Sequence, residues 1–137
     1  TKKLDLKIVN TFRNVLWNLH GGNPEMYRGL DSHLWTIYEE NFKELKTCIH
    51  RVDLTLDTGE IFNMLPLPIT KKTHLYNLRA INTEICIKLS YQLIEQLINK
   101  GEITSRKQIK KGKYFSSIPI IKKEECVTKF INYVENL

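Results

Sequence analysis

The stretch Tyr91-Gln92-Leu93-Ile94-Glu95-Gln96-Leu97-Ile98-Asn99-Lys100-Gly101-Glu102-Ile103 sets the reading of this chain. Its two apolar pairs stand four residues apart, which places them in one stripe on a helix. Lys100-Gly101 then closes the helix with a cation at the negative dipole end and a residue free to turn left-handed. Upstream, Ile85 and Leu89 extend the stripe, so the spacing predicts a helix from Asn82 or Thr83 to Lys100. Downstream, residues 102–105 read as a strand and Arg106 to Lys113 as a basic tip containing Gly112. Tyr114 to Ile121 reads as a returning strand with Pro119 on an edge. A shorter helix is expected over 73–80. An amphipathic helix is expected over 122–137, with Cys126, Val127, Phe130, Ile131 and Val134 inward and Glu124 and Glu125 near its positive end.

Moving toward the N-terminus, Ile8, Phe12, Val15, Leu16 and Leu19 recur at helical spacing and leave Lys7, Arg13, Asn14 and Asn18 opposite, predicting a helix over 4–19. His20-Gly21-Gly22-Asn23-Pro24 ends it. Asp31 or Ser32 can cap a second helix through Lys46, whose stripe is Leu34, Ile37, Tyr38, Phe42 and Leu45. The period changes at residue 49, where Val52, Leu54 and Leu56 alternate with polar residues. Asp57-Thr58-Gly59 reads as a turn and Glu60 to Leu65 as a return strand, so a hairpin is expected. Pro66 and Pro68 mark a hinge. The expected architecture is α/β (α+β): one helix-rich domain over 1–137 with small β-hairpins, built from a helical and hairpin half, 1–69, and a basic half, 70–137.

The 137 residues suit a single domain, and 42% hydrophobic content supplies a core. The opening TKKLDLKIVN starts on Thr1 and lacks the apolar run of a signal peptide, which suggests a fragment of a longer protein. No apolar run is long enough to span a bilayer, so no membrane partner is expected. Cys48, Cys86 and Cys126 are spaced for neither a disulfide framework nor a zinc site and read as small buried hydrophobes in a reducing, intracellular setting. Net charge is +6 but one-sided: residues 1–69 carry eight Lys+Arg against nine Asp+Glu, and residues 70–137 carry thirteen against six. Such asymmetry suits an anionic partner, although a solvated lysine-rich surface gives the same count.

The order short helix, long helix, strand, basic loop, strand over 73–121 resembles a winged helix. The segment 91–103 quoted above is similar to the end of a recognition helix in the C-terminal winged helices of the origin-recognition-complex family. No ATPase motif accompanies it. The resemblance implies helix contacts through Arg79 and Lys88 and phosphate contacts by a wing carrying Arg106, Lys107, Lys110, Lys111 and Lys113, with Tyr114 beside the tip and Lys71 and Lys72 in support. Asn82, Gln92 and Gln96 could read bases, but Glu84 and Glu95 on the same helix would repel a polyanion. Trp17 and Trp35 read as core residues or as anchors for a partner.

Catalytic signatures are absent: no phosphate-binding or dinucleotide glycine motif, no H-E-x-x-H and no G-x-S-x-G occurs. Asp53, Asp57 and Glu60 form the best carboxylate group, which an exposed turn explains equally well. His20, His33, His50 and His74 are scattered along the chain. The sequence therefore points to a non-enzymatic, nuclear, chromatin-associated module without cofactor or metal that binds duplex DNA through a basic wing. The alternative is a protein-interaction or oligomerisation module, with other subunits of an assembly or further copies of itself as partners.

Overall fold

A computed structural model describes residues 4–12 and 15–137. Thr1 to Lys3 and the expected polar residues Arg13 and Asn14 lie outside them. The chain runs α1 (Leu6–Phe12), β1 (Trp17–His20), β2 (Tyr27–Gly29), α2 (Ser32–Tyr38), a 3-10 turn (Phe42–Glu44), β3 (Lys46–Arg51) and β4 (Ile61–Pro66). It continues with a second 3-10 turn (Leu75–Asn77), α3 (Leu78–Lys100), β5 (Lys113–Phe115) and α4 (Ile120–Glu135). The class is mixed α/β, as the two periodicities indicate.

β3 is central in an antiparallel sheet ordered β1-β3-β4. A hairpin is present, but its first strand lies earlier than expected: β3 ends at Arg51, and the alternating Val52, Leu54 and Leu56 fall in the connection to β4, with a register shift between Ile49 and His50. The helix expected over 4–19 is cut short. Trp17 to His20 instead pair with Arg51 to Cys48, because a pairing partner distant in sequence outweighs weak local helical spacing. The second expected helix likewise stops at Tyr38, where Glu40 takes a positive φ of 54°.

The main core gathers Ile37 of α2, Leu45, Leu67, Leu78, Ile118 and the α4 residues Cys126, Phe130 and Val134. A second cluster seats Leu89 and Leu93 of α3 on Ile49 of β3. The α4 stripe is narrower than expected, since Val127 and Ile131 are exposed. α3 begins at Leu78 rather than Asn82, and the short helix before it is a single 3-10 turn capped reciprocally by His74 and Asn77. Gly101 closes α3 at φ 72°, as the sequence suggested.

There is no wing. Residues 102–105 form no strand beside 114–121. Arg106 instead makes an isolated antiparallel bridge to Ile61, and β5 pairs in parallel with β2, Tyr27 against Lys113 and Gly29 against Phe115. Gly112 makes the crossing possible, because a Cβ there would strike the backbone of Pro24 and Met26. Alternation marks a strand but not its partner, and here the partner lies far upstream.

Candidate active site

Residues two apart on a strand share a face, so Asn18 and His20 project together from β1. The register sets His50 of β3 opposite Asn18. Asp57 comes from the connection between β3 and β4, which turns back tightly at Gly59, where no Cβ fits against the Arg51 carbonyl. His20, His50 and Asp57 are each buried to 6% exposure or less. Four polar side chains from three separate stretches of sequence thus meet beside the sheet.

Their hydrogen bonds fix their orientations. Asn18 Nδ2 donates to Asp57 Oδ1 at 3.3 Å and to His50 Nε2 at 3.2 Å. His50 Nδ1 lies 2.7 Å from the Arg51 carbonyl oxygen, which can only accept, so Nδ1 carries the proton and Nε2 receives from Asn18. The same reasoning applies to His20, whose Nε2 donates to the Tyr27 carbonyl at 2.8 Å. Its Nδ1 lone pair then faces Asp57 Oδ2 at 3.7 Å. The other support of that oxygen is the Gly29 amide, which donates to it at 2.8 Å.

The electrostatics suit proton transfer. Burial pushes the His20 pKa below its ordinary value, only partly opposed by the Asp57 charge. Burial resists ionisation of Asp57, yet His50, His20 and the Gly29 amide outweigh it and hold the carboxyl below its ordinary range. A neutral imidazole therefore aims a lone pair at a fixed carboxylate, and a proton arriving at Nδ1 is stabilised as it lands. A cleft of about 100 Å³ opens onto Asn18, His50 and Asp57, walled by Val9, Val52, Leu54 and Leu56. A group held there lies against Asn18, His50 and Asp57 in a mostly apolar surround.

No family model and no curated protein matches the chain. Solved structures do. The formyltransferase PseJ from Anoxybacillus kamchatkensis, crystallised with UDP-4,6-dideoxy-4-formamido-L-AltNAc and tetrahydrofolate, superposes with a TM-score of 0.74 at 27% identity, over 91% of this chain and 63% of that one. The fold is formyltransferase-like. A 4-N formyltransferase from Francisella tularensis gives 0.72 at 19% identity, over 93% and 56%. An N-formyltransferase from Helicobacter canadensis, solved with folinic acid and dTDP-3-aminofucose, gives 0.66 at 22% identity, over 90% and 50%. The chain thus spans between 50% and 63% of these proteins' lengths.

These likenesses overturn the winged-helix and origin-recognition reading. They also replace the expectation of a non-enzymatic DNA-binding or chromatin module, since the similar structures are enzymes holding small molecules rather than nucleic acid or assembly subunits. The oligomerisation alternative falls with it. The residues expected to grip phosphate do not converge. Arg79 and Lys88 stand nine positions apart on α3, about half a turn out of phase. Lys71 and Lys72 are exposed before the second 3-10 turn, and Lys107, Lys110, Lys111, Lys113 and Tyr114 are exposed along a chain segment that forms no hairpin. Arg106 is committed to a two-pronged ion pair with Glu25, at 2.8 Å on both oxygens. Nor do the three carboxylates meet: Asp53 is exposed, Asp57 is buried among histidines, and Glu60 pairs with Arg51 at 3.7 Å.

Sequence reading missed Asn18, His20 and His50. A signal existed in the polar pair Asn18 and His20 at period two before Gly21-Gly22, but the helical assignment put Asn18 on a wet face and made His20 a terminator. Trp17 packs edge-on against Phe62 and Trp35 sits tilted on Phe115, so both are packing residues.

Proposed function

We propose that this chain forms the catalytic part of an N-formyltransferase that moves a formyl group from a reduced folate to the amine of a nucleotide-linked sugar. The observation that carries the reading is the buried Asn18–His20–His50–Asp57 cluster beside the cleft. The chain's likeness to a formyltransferase crystallised with tetrahydrofolate and a UDP-sugar supports the substrate class.

The roles follow from the chemistry each group can do. The amine nitrogen attacks the formyl carbon, forming a carbon–nitrogen bond and an oxyanion. The proton that the amine loses reaches His20 Nδ1 by way of the Asp57 carboxylate, which lines the cleft and lies 3.7 Å from that nitrogen, and Asp57 then stabilises the resulting imidazolium. Asn18, on turning an amide hydrogen from His50 Nε2 to the substrate, donates to the developing oxyanion. When the tetrahedral species collapses, the bond from carbon to the folate nitrogen breaks and the proton passes from His20 to that nitrogen. The products are a formamido sugar and tetrahydrofolate. The apolar walls of the cleft suit a flat heterocycle and exclude water that would hydrolyse the formyl group.

The test is direct. The protein is incubated with a formylated tetrahydrofolate and a panel of nucleotide-linked amino sugars, and product mass and tetrahydrofolate release are followed. Formyl transfer that disappears in His20→Ala is expected. Release at the same rate in wild type and His20→Ala, or no formylated sugar with any acceptor, would overturn the reading.

A further inference from the structure

Asp57 takes a positive φ of 53°, a backbone conformation that costs an aspartate energy and persists only where its surroundings hold it. Its side chain is held by Gly29 and Asn18. Its backbone is held by Gln108, whose Nε2 donates to the Asp57 carbonyl at 3.0 Å and to the Gly59 carbonyl at 2.9 Å. Both amide hydrogens of Gln108 are spent on this one loop. Its Oε1 is left buried without a hydrogen-bond partner among the described residues, an arrangement that folding alone would not favour.

Gln108 is itself fixed on both sides. Arg106 exchanges backbone hydrogen bonds with Ile61 at 2.8 Å each way and pairs with Glu25. The Ile109 amide donates to the same Glu25 carboxylate at 2.7 Å. Burying this carboxylate is compensated by the Arg106 contact first and the Ile109 amide after it, and Glu25 titrates below its usual range. A further tie runs through Arg28, which donates to the Leu56 carbonyl at 2.9 Å and to the Gly112 carbonyl at 2.7 Å. The segment 105–112 is thus a strap anchored at Glu25 and Ile61, with Gln108 as the hand it lays on the Asp57 loop.

We infer that Gln108 is a positioning residue that holds the Asp57 loop in its strained form and so keeps the Asp57 carboxylate facing His20. The inference rests on the formyl-transfer reading for its kinetic consequence, but not for the structural one. Without the two donors the loop relaxes to negative φ, and the carboxylate leaves His20, His50, Asn18 and the Gly29 amide, the groups that face it.

Gln108→Glu keeps the shape but turns acceptors onto two carbonyls, and Gln108→Met keeps the volume with no donor. Both are compared with wild type and with Lys110→Ala on the same strap. Formyl-transfer kinetics and the titration of the Asp57 carboxyl, followed by carbon-13 NMR, are measured on each. The expected result is a kcat about 10- to 100-fold lower in both Gln108 variants with KM changed less than about threefold. The Asp57 midpoint should rise toward the ordinary aspartate range, while Lys110→Ala matches wild type. Gln108 variants whose Asp57 midpoint stays put would overturn the inference, whatever happens to kcat. If wild type transfers no formyl group, the formyl-transfer reading fails, and the Asp57 titration still decides the role of Gln108.

Discussion

Two regions of this molecule reverse the prominence their sequences suggest. The segment 105–113 concentrates charge, with five cations in the eight residues 106–113. The β1-β3-β4 sheet gathers an asparagine, two histidines and an aspartate drawn from positions 18, 20, 50 and 57. Yet Lys107, Lys110 and Lys111 of the first region are exposed to water, where each is individually solvated and screened. The polar groups of the second are buried together, where a few ångströms decide protonation and orientation. Function follows the desolvated groups rather than the numerous ones.

The sharpest way to break that contrast is to remove a member of the buried cluster. Asp57→Asn should lower formyl transfer by about three orders of magnitude, since an amide cannot stabilise the imidazolium form of His20. Circular dichroism should show the fold retained, and wild-type rates in Asp57→Asn would refute the assignment. Next in size is a core truncation that separates stability from chemistry. Phe130 is 1% exposed in the main core, and Phe130→Ala should cost about 3–5 kcal/mol in denaturant unfolding.

A third test uses pH. Burial lowers His33 to about 4, with His33 Nε2 donating to the Lys46 carbonyl, and burial lowers His20 as well. His33 stays neutral in the folded protein down to about 4, and His20 is shifted in the same direction, while the unfolded chain takes up protons at the ordinary histidine value near 6.5. The unfolded state then binds more protons, so stability falls as pH drops from about 6.5 toward 4. His33 alone should contribute roughly 2–3 kcal/mol to that fall. Thermal melts should show it, and His33→Gln should flatten the slope. On the activity side, His20 must be neutral to act, so its lowered pKa should keep the rate near its plateau as pH falls through 6.5. The smallest effect belongs to the charged segment: replacing Lys107, Lys110 and Lys111 together by Ala should change stability by no more than about 0.5 kcal/mol per site and leave kcat near wild type. A large loss of kcat there would mean that the basic segment touches substrate.

Much of the secondary structure was legible because it rests on local rules. The α3 stripe and its Gly101 stop, the α4 periodicity and the return strand β4 all follow from residues close in sequence, whereas the alternation at Val52, Leu54 and Leu56 fell in the connection after β3. What misled was the same locality. The run 102–121 reads as a hairpin only if its strands pair with each other, and the residues between Val15 and Leu19 fit a helix only if no strand waits at Cys48 to Arg51. Both segments found distant partners. The site shared that fate. Asp57 could be picked out as a turn carboxylate, but as part of a group with Asp53 and Glu60 that does not meet. His20 and His50 are thirty residues apart, and their rings come within 6.2 Å only through the β1–β3 register.

By itself the sequence determined composition, the one-sided charge, the α/β class and the elements whose apolar period is long or cleanly stopped, because side-chain period and glycine or proline geometry act over a few residues. Only the tertiary structure decided that β5 joins β2, that Arg106 answers Glu25 and that Asn18, His20, His50 and Asp57 share one buried corner. Those outcomes depend on which distant surfaces exclude water together, and no local pattern encodes that choice.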